Sequence, residues 1–223
     1  MSVVFGQADQ LLDWSWVERN IGQIVDRTWE HLTLTGISVA LGLVISVLLA
    51  IVVLRWRWSY PPITGAAGLL YTIPSLALFA LLVPFTGLSQ TTAVIALTSY
   101  TLFILIRNIV AGIDGVPAYV KEAADGMGYT PRSRFWRIEV PLALPAIVAG
   151  VRIATVTTVG LVTVTAVIGL GGYGFFILRG LNTFFWTQLI VGVLLSVVLA
   201  TILDLAFVAL QAWLSPWSKR RAA

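Results

Sequence analysis

The 223-residue chain has no cysteine and a single histidine, His31. The first absence excludes disulfides, thiolate metal sites and cysteine nucleophiles, and the second excludes a His-rich metal site. Charge is scarce as well. Asp, Glu, Lys and Arg make up 11% of the residues, against about a quarter in a soluble domain. No G-x-x-x-x-G-K-[ST] loop is present, so the chain has no phosphate cradle of that kind. No Ser/His pair, acid pair or metal-ligand cluster falls within its apolar runs, which argues against an intramembrane enzyme. No basic stripe with interleaved aromatics stands outside one short segment, so no nucleic-acid partner is expected. Before residue 31 there is neither a basic n-region nor a compact apolar core, so a cleaved signal peptide is not expected.

What fills the space is hydrophobic. Such residues make up 58% of the chain, and the mean hydropathy is +0.93, the composition of an integral membrane protein. Five apolar runs, at about 32–54, 62–83, 90–112, 142–168 and 187–213, are each long enough to cross a bilayer as helices. Backbone in hydrocarbon must satisfy its own hydrogen bonds, and no alternating barrel pattern is visible. The expected class is therefore an all-α membrane protein of about five transmembrane helices. Trp29, Trp56, Trp58, Trp136, Trp186, Trp213 and Trp217 fall near the ends of these runs, where indole rings prefer the membrane–water interface.

Charge sets the expected orientation. Arg55 and Arg57 follow the first run, Lys121, Arg132, Arg134 and Arg137 separate the third from the fourth, and Lys219, Arg220 and Arg221 end the chain. With five crossings all three groups share one side, which the positive-inside rule makes the cytoplasm. The N-terminus is then outside and the C-terminus inside. The expected divisions are an external segment over 1–31, a transmembrane domain over 32–213 with a cytoplasmic loop at 113–141, and a basic cytoplasmic tail at 214–223. Within the first, Val17, Ile21, Ile24, Val25 and Trp29 recur at helical spacing. Either an amphipathic surface helix over 14–30 or a continuous extension of the first span accounts for them.

Several residues interrupt the apolar runs. Arg152 and Asp204 each lie about ten positions from the cytoplasmic end of their spans, roughly 15 Å of helix. Equal depth and opposite sign predict an ion pair, because a lone intramembrane charge is costly. Pro74 falls mid-span in YTIPSL, where it predicts a kink facing a central pathway, with Thr72 and Ser75 placed to satisfy the freed backbone groups, so that Pro74 and Ser75 are candidate pathway or gate residues. Tyr71 and Tyr100 either pack between helices or offer a cation–π surface to a cationic solute. The stretch GLGGYG (169–174) satisfies G-x-G-x-x-G but follows a span rather than a strand, so a dinucleotide site is not expected. It is either an ordinary turn or a flexible, re-entrant loop in which Gly171 and Gly172 shape an outer gate.

The most concentrated charge lies between Lys121 and Glu139, with seven charged residues. Pro117 is suited to open a short helix and Gly128 to close it in a left-handed conformation. Thr130 and Pro131 are suited to restart one as N-cap and first helical residue. Tyr119, Ala123 and Met127 share a face of the first helix. The result is a helix–turn–helix elbow. It is either a solvated loop obeying the positive-inside rule or a knob that docks in the groove of a cytoplasmic partner.

This segment resembles the EAA signature of permease subunits in bacterial ABC importers: E-A-A, three residues, G, nine residues, I-x-L-P. Here the matching residues are Glu122, Ala123 and Ala124, then Gly128, then Ile138, Glu139, Val140 and Pro141, with Val140 in place of Leu. TIPSLALFALLVP (72–84), AADGMGYTPRSRFWRIEVPLALPAIVAGVRIATV (123–156) and AVIGLGGYGFFILRGL (166–181) resemble the osmoprotectant branch of that family. The resemblance covers most of residues 30 to 215. It implies a type I ABC importer permease fold in a bacterial plasma membrane, importing glycine betaine, carnitine or choline. Glu122, Ala123, Ala124, Gly128, Ile138 and Pro141 would form the ATPase-coupling element. The chain itself would hold no cofactor, ATP and magnesium being bound by two separate ATPase subunits. A second permease subunit, identical or homologous, and an external solute-binding protein would complete the complex. An importer for another small solute, such as an amino acid or a sulfonate, is the alternative, and an ATP-independent transporter or channel is a further one.

Overall fold

The computed structural model describes residues 12–215, and every regular element in that range is helical. Trp217, Lys219, Arg220 and Arg221 lie outside the described residues, as does most of the expected tail.

The chain opens with α1 (Trp14–Arg19), capped by the Asp13 carboxylate, which accepts from the Trp16 amide at 3.1 Å. A turn at Asn20 leads into α2 (Ile21–Arg55), an unbroken helix of 35 residues. At about 1.5 Å per residue it is roughly 50 Å long, well over the ~30 Å of a hydrocarbon core. Residues 21–30 are therefore helically continuous with the first span and do not form a separate helix. Of the two readings open for 14–30, the extension holds from Ile21 onward, and only Trp14–Arg19 forms a helix of its own.

Next come α3 (Tyr60–Thr72) and α4 (Ser75–Thr86). The kink expected at Pro74 is a full break: the helix ends at Thr72, and Pro74 is extended at φ −54°, ψ 134° before α4 begins. A proline with no N–H to give, whose ring excludes the residue before it from helical backbone, ends α3 instead of bending it. Then follow α5 (Gln90–Asp114), α6 (Ala118–Gly126), α7 (Pro131–Arg134) and a five-residue π-helical segment, Phe135–Glu139. The last of these runs directly into α8 (Val140–Val164). A 3₁₀ turn (Thr165–Ile168), α9 (Gly174–Thr183) and α10 (Trp186–Leu214) complete the chain.

Four stretches are long and apolar enough to cross a membrane, and the bent pair formed by α3 and α4 makes a fifth if it is one span. An ion pair decides this. Arg57, just past α2, donates to both Asp114 carboxylate oxygens at the end of α5, at 2.6 and 2.8 Å. The ends of α2 and α5 thus lie on one face, so α3 and α4 together carry the chain back across as a broken span.

Contacts group the residues into two compact units. Among the described residues, one comprises those up to Val39 with Ile73–Thr98 and Thr155–Ile202; the other comprises Ala40–Thr72, Ser99–Ala154 and those from Leu203. In the first, Leu34, Phe79, Leu97, Val159, Val162 and Phe176 are fully buried, and Trp16 meets Phe176 and Phe185 edge to face. In the second, Ala50, Val53, Ala67, Ile106, Ile109 and Val110 form the core, flanked by Leu43, Leu49, Ile63 and Ile147.

Polar and apolar faces are inverted relative to a soluble bundle. On α2, His31, Thr35, Ser38 and Ser46 are buried, while Leu41, Val44, Leu48 and Ile51 are exposed. The most apolar window of α10 is only 6% buried within the protein. Surfaces this greasy are stable where the surroundings are hydrocarbon, and small or hydroxylic residues then serve as the packing face between helices.

Candidate functional site

The elbow is built from local chemistry. Pro117, in extended conformation, stands just before α6, and Met127 ends it. Gly128 then adopts φ +81°, a left-handed conformation that costs an L-residue about 1–2 kcal/mol. A side chain at Gly128 would meet nothing within 4 Å, so backbone conformation rather than space requires glycine there. Thr130 caps α7 by accepting from the Ser133 amide at 3.3 Å, and Pro131 is the first helical residue.

The two faces of α6 differ. Ala124 is fully buried, whereas Tyr119 and Met127 are 65% and 69% exposed, with Glu122 and Ala123 exposed between them. An apolar knob beside a carboxylate therefore projects from the protein. Ile138 and Pro141 are half-buried at the start of the following helix.

A chain of charges that the sequence pattern did not assign locks the elbow. Glu139, 7% exposed, accepts from Arg134 Nε at 2.8 Å and lies 3.8 Å from Lys121 Nζ. Arg134 Nη1 also donates to Asp125 Oδ1 at 2.6 Å. Lys121 and Asp125 belong to α6, while Arg134 and Glu139 belong to the arm leading into α8, so the network joins both arms. Residues five apart lie about 140° apart around an ordinary α-helix. Here the Val140 amide bonds the Phe135 carbonyl, five residues back, and this wider turn brings Glu139 over Arg134. Pro141 gives the widening a cause: it has no N–H to donate, and its ring would press on the carbonyl four residues back.

Within the spans, Arg152 of α8 and Asp204 of α10 form a two-pronged ion pair, with Arg152 Nε bonded to Asp204 Oδ1 and Nη2 2.8 Å from Oδ2. Such pairing neutralises two charges that would be costly alone in hydrocarbon.

Tyr71, at the end of α3, meets Phe103 at 5.4 Å and Tyr100 at 6.0 Å between ring centres. Tyr100 is buried at 4% exposure, while Tyr71 is 38% exposed. Tyr71 and Phe103 line a cavity of about 360 Å³ with Ile104, Arg107, Asn108 and Ile153. Arg107 and Asn108 escaped the sequence reading. The available signal was a lone arginine in LFILIRNIV, with no acid one helical turn away. Pro74 is exposed and Ser75 half-buried at the start of α4, while the Thr72 hydroxyl donates to the Leu69 carbonyl at 2.8 Å.

The glycine loop is a packed turn. Gly171 adopts φ +107° and Gly172 φ +49°. An added Cβ on Gly172 would fall 2.6 Å from the His31 Cβ. His31, fully buried, bonds the Val159 carbonyl through Nε2 at 3.0 Å and accepts the Tyr173 amide at Nδ1, 3.3 Å away. Those two bonds define the neutral tautomer with its proton on Nε2. The Tyr173 hydroxyl donates to Thr28 at 2.9 Å. Thus α2 and the end of α8 grip the loop from two sides.

Residues 25–220 match the family described as the binding-protein-dependent transport system inner membrane component. The osmoprotectant import permease protein OsmW of Salmonella typhimurium is 38% identical, over 88% of this chain and 94% of that protein. The choline transport system permease protein OpuBB of Bacillus subtilis is 33% identical, over 92% of this chain and 94% of that one. The glycine betaine/carnitine/choline transport system permease protein OpuCB of Bacillus subtilis is 32% identical, over 91% and 93%. Among solved structures, a chain of the inward-facing MetNI methionine ABC transporter superposes with a TM-score of 0.76 at 22% identity, covering 88% of this chain and 98% of that one. That likeness concerns the fold.

Proposed function

The chain belongs to the binding-protein-dependent transport system inner membrane component family, and on that premise we propose that it is the permease of an ATP-driven importer for osmoprotectant quaternary amines such as glycine betaine, carnitine or choline. The observation that carries this reading is the elbow: an exposed apolar knob, beside Glu122, built as one rigid piece with the helix that leads into the membrane.

In this reading the elbow faces the cytoplasm and seats in a separate ATPase subunit, which binds ATP and magnesium and hydrolyses the nucleotide. Tyr119 and Met127 fill an apolar groove, with Glu122 and Gly128 at its rim. Because Arg134 and Glu139 tie α6 to the arm that continues as α8, a displacement of the seat moves the span instead of flexing a hinge. Two permease subunits, two ATPases and an external solute-binding protein make up the complex, in a bacterial plasma membrane. The clustering of Arg55, Arg57, Lys121, Arg132, Arg134 and Arg137 beside the same helix ends supports that orientation.

The test is uptake of labelled glycine betaine, carnitine and choline by vesicles carrying the full complex. ATP-dependent accumulation of at least one is expected. Accumulation of an amino acid or sulfonate instead would redirect the substrate, and solute movement without the ATPases would overturn the reading.

A further inference from the structure

Two arginines lie on membrane-spanning helices, and they are treated differently. Arg152 is matched by Asp204. Arg107 of α5, two turns before the helix ends at Asp114, has no carboxylate within ion-pair distance among the described residues. Its guanidinium lies 5.1 Å over the Phe103 ring. An exposed arginine two turns inside a spanning helix, with no carboxylate partner, is a candidate to face water or a ligand.

Arg107 faces the cavity of about 360 Å³ that it shares with Tyr71, Phe103, Asn108 and Ile153, a volume at the small end of ligand pockets. No carboxylate is among its lining residues. Asn108 gives one amide hydrogen to the Ile104 carbonyl at 2.8 Å, leaving its other amide capacity for the cavity. Guanidinium and amide together suit a carboxylate. The partly exposed Tyr71 ring, backed by Phe103, suits a quaternary ammonium. A cation without a carboxylate would meet the guanidinium unscreened, whereas a zwitterion answers both ends.

We propose that this cavity is a solute subsite within the permease, selective for zwitterions that carry a carboxylate close to a quaternary ammonium over cations that lack one. The proposal rests on the osmoprotectant reading above and narrows its substrate class.

The complete complex, reconstituted in liposomes with saturating binding protein, tests it through ATP-dependent uptake of labelled glycine betaine and of choline. Arg107→Gln is expected to lower betaine uptake at least about tenfold, the scale of losing a charge-assisted hydrogen bond, while choline uptake holds or rises. Arg107→Lys, which keeps the charge but loses the planar fork, is expected to fall between the two. Tyr71→Leu is expected to lower both solutes and leave their ratio unchanged. Equal losses of both solutes in Arg107→Gln, or an unchanged ratio, would overturn the subsite. If Arg107→Gln does not assemble, the Arg107→Lys ratio decides in the same way. Wild-type complex that moves neither solute would sink the osmoprotectant reading as well, which separates the two failures.

Discussion

The charged elbow and the glycine loop both interrupt a chain of apolar spans, and each is held by a different kind of bond. In the elbow, the partly exposed Lys121, Asp125 and Arg134 are linked by ion pairs to one another and to the buried Glu139, and Tyr119 and Met127 are left standing out. In the loop, a neutral, fully buried His31 bonds backbone on both sides, and Gly171, Gly172 and Tyr173 are buried with it. Ionic ties can stiffen a projecting element because water solvates what they leave unpaired. Neutral ties suit a segment with no water to turn to, where an unmatched charge would be costly. One region therefore stands out from the protein, and the other is packed within it.

That contrast is open to test. Gly128→Asp should have the largest effect on transport: its left-handed backbone disfavours a side chain by about 1–2 kcal/mol, and a new charge would stand at the rim of the knob. Uptake should fall by at least about tenfold at unchanged membrane abundance, since no neighbour lies within 4 Å to be displaced. Normal uptake would remove the elbow from coupling. Gly172→Ala should do the reverse. Its Cβ would meet His31 and the Arg27 carbonyl at 2.6 and 2.9 Å, an overpacking cost of about 1–3 kcal/mol. Protein abundance and melting temperature in detergent should drop, and unchanged values would show that the loop can open.

Glu139→Gln is a finer probe of the ionic ties. Arg134 keeps Asp125, so the fold should survive while the elbow loosens. ATP hydrolysed per solute transported should rise about twofold, the scale of a partly exposed ion pair; an unchanged ratio would mean that the backbone alone stiffens the elbow. The smallest effect belongs to Asp13. The Ser15 hydroxyl, and after it the Trp16 amide, hold its carboxyl below the ordinary value of 3.8. A depressed acid stabilises the folded cap above its ordinary value and loses that contribution as pH falls through its own lower one. Fluorescence of Trp14 and Trp16 should report fraying of α1 only under such acid conditions, and Asp13→Asn should abolish the pH response.

Much of this was legible one residue at a time. Gly128 in left-handed backbone, Thr130 as cap and Pro131 as first helical residue follow from steric and hydrogen-bonding preferences that act over three or four positions. Counting residues from the span ends sets Arg152 and Asp204 at equal depth, and the structure joins them. The glycine loop was harder. Its composition is compatible with a mobile gate or a plain turn, and only the approach of His31, 142 residues from its partner Tyr173, shows a packed turn. Arg134 and Glu139 were visible as charges but not as a pair, because five-residue spacing fails on a regular helix.

The amino-acid sequence by itself determined that the chain is helical, that it crosses a bilayer and that a charged elbow divides its third and fourth spans. Each of these depends on run length, composition or chemistry confined to a few neighbouring residues. Tertiary structure alone decided that Pro74 breaks the second crossing instead of bending it, that a π-helical turn aligns Glu139 with Arg134, and that Arg107 faces a cavity with no carboxylate among its lining residues. Those outcomes depend on which distant groups come within bonding distance, and a charge or a hydrogen bond is answered by its neighbours in space.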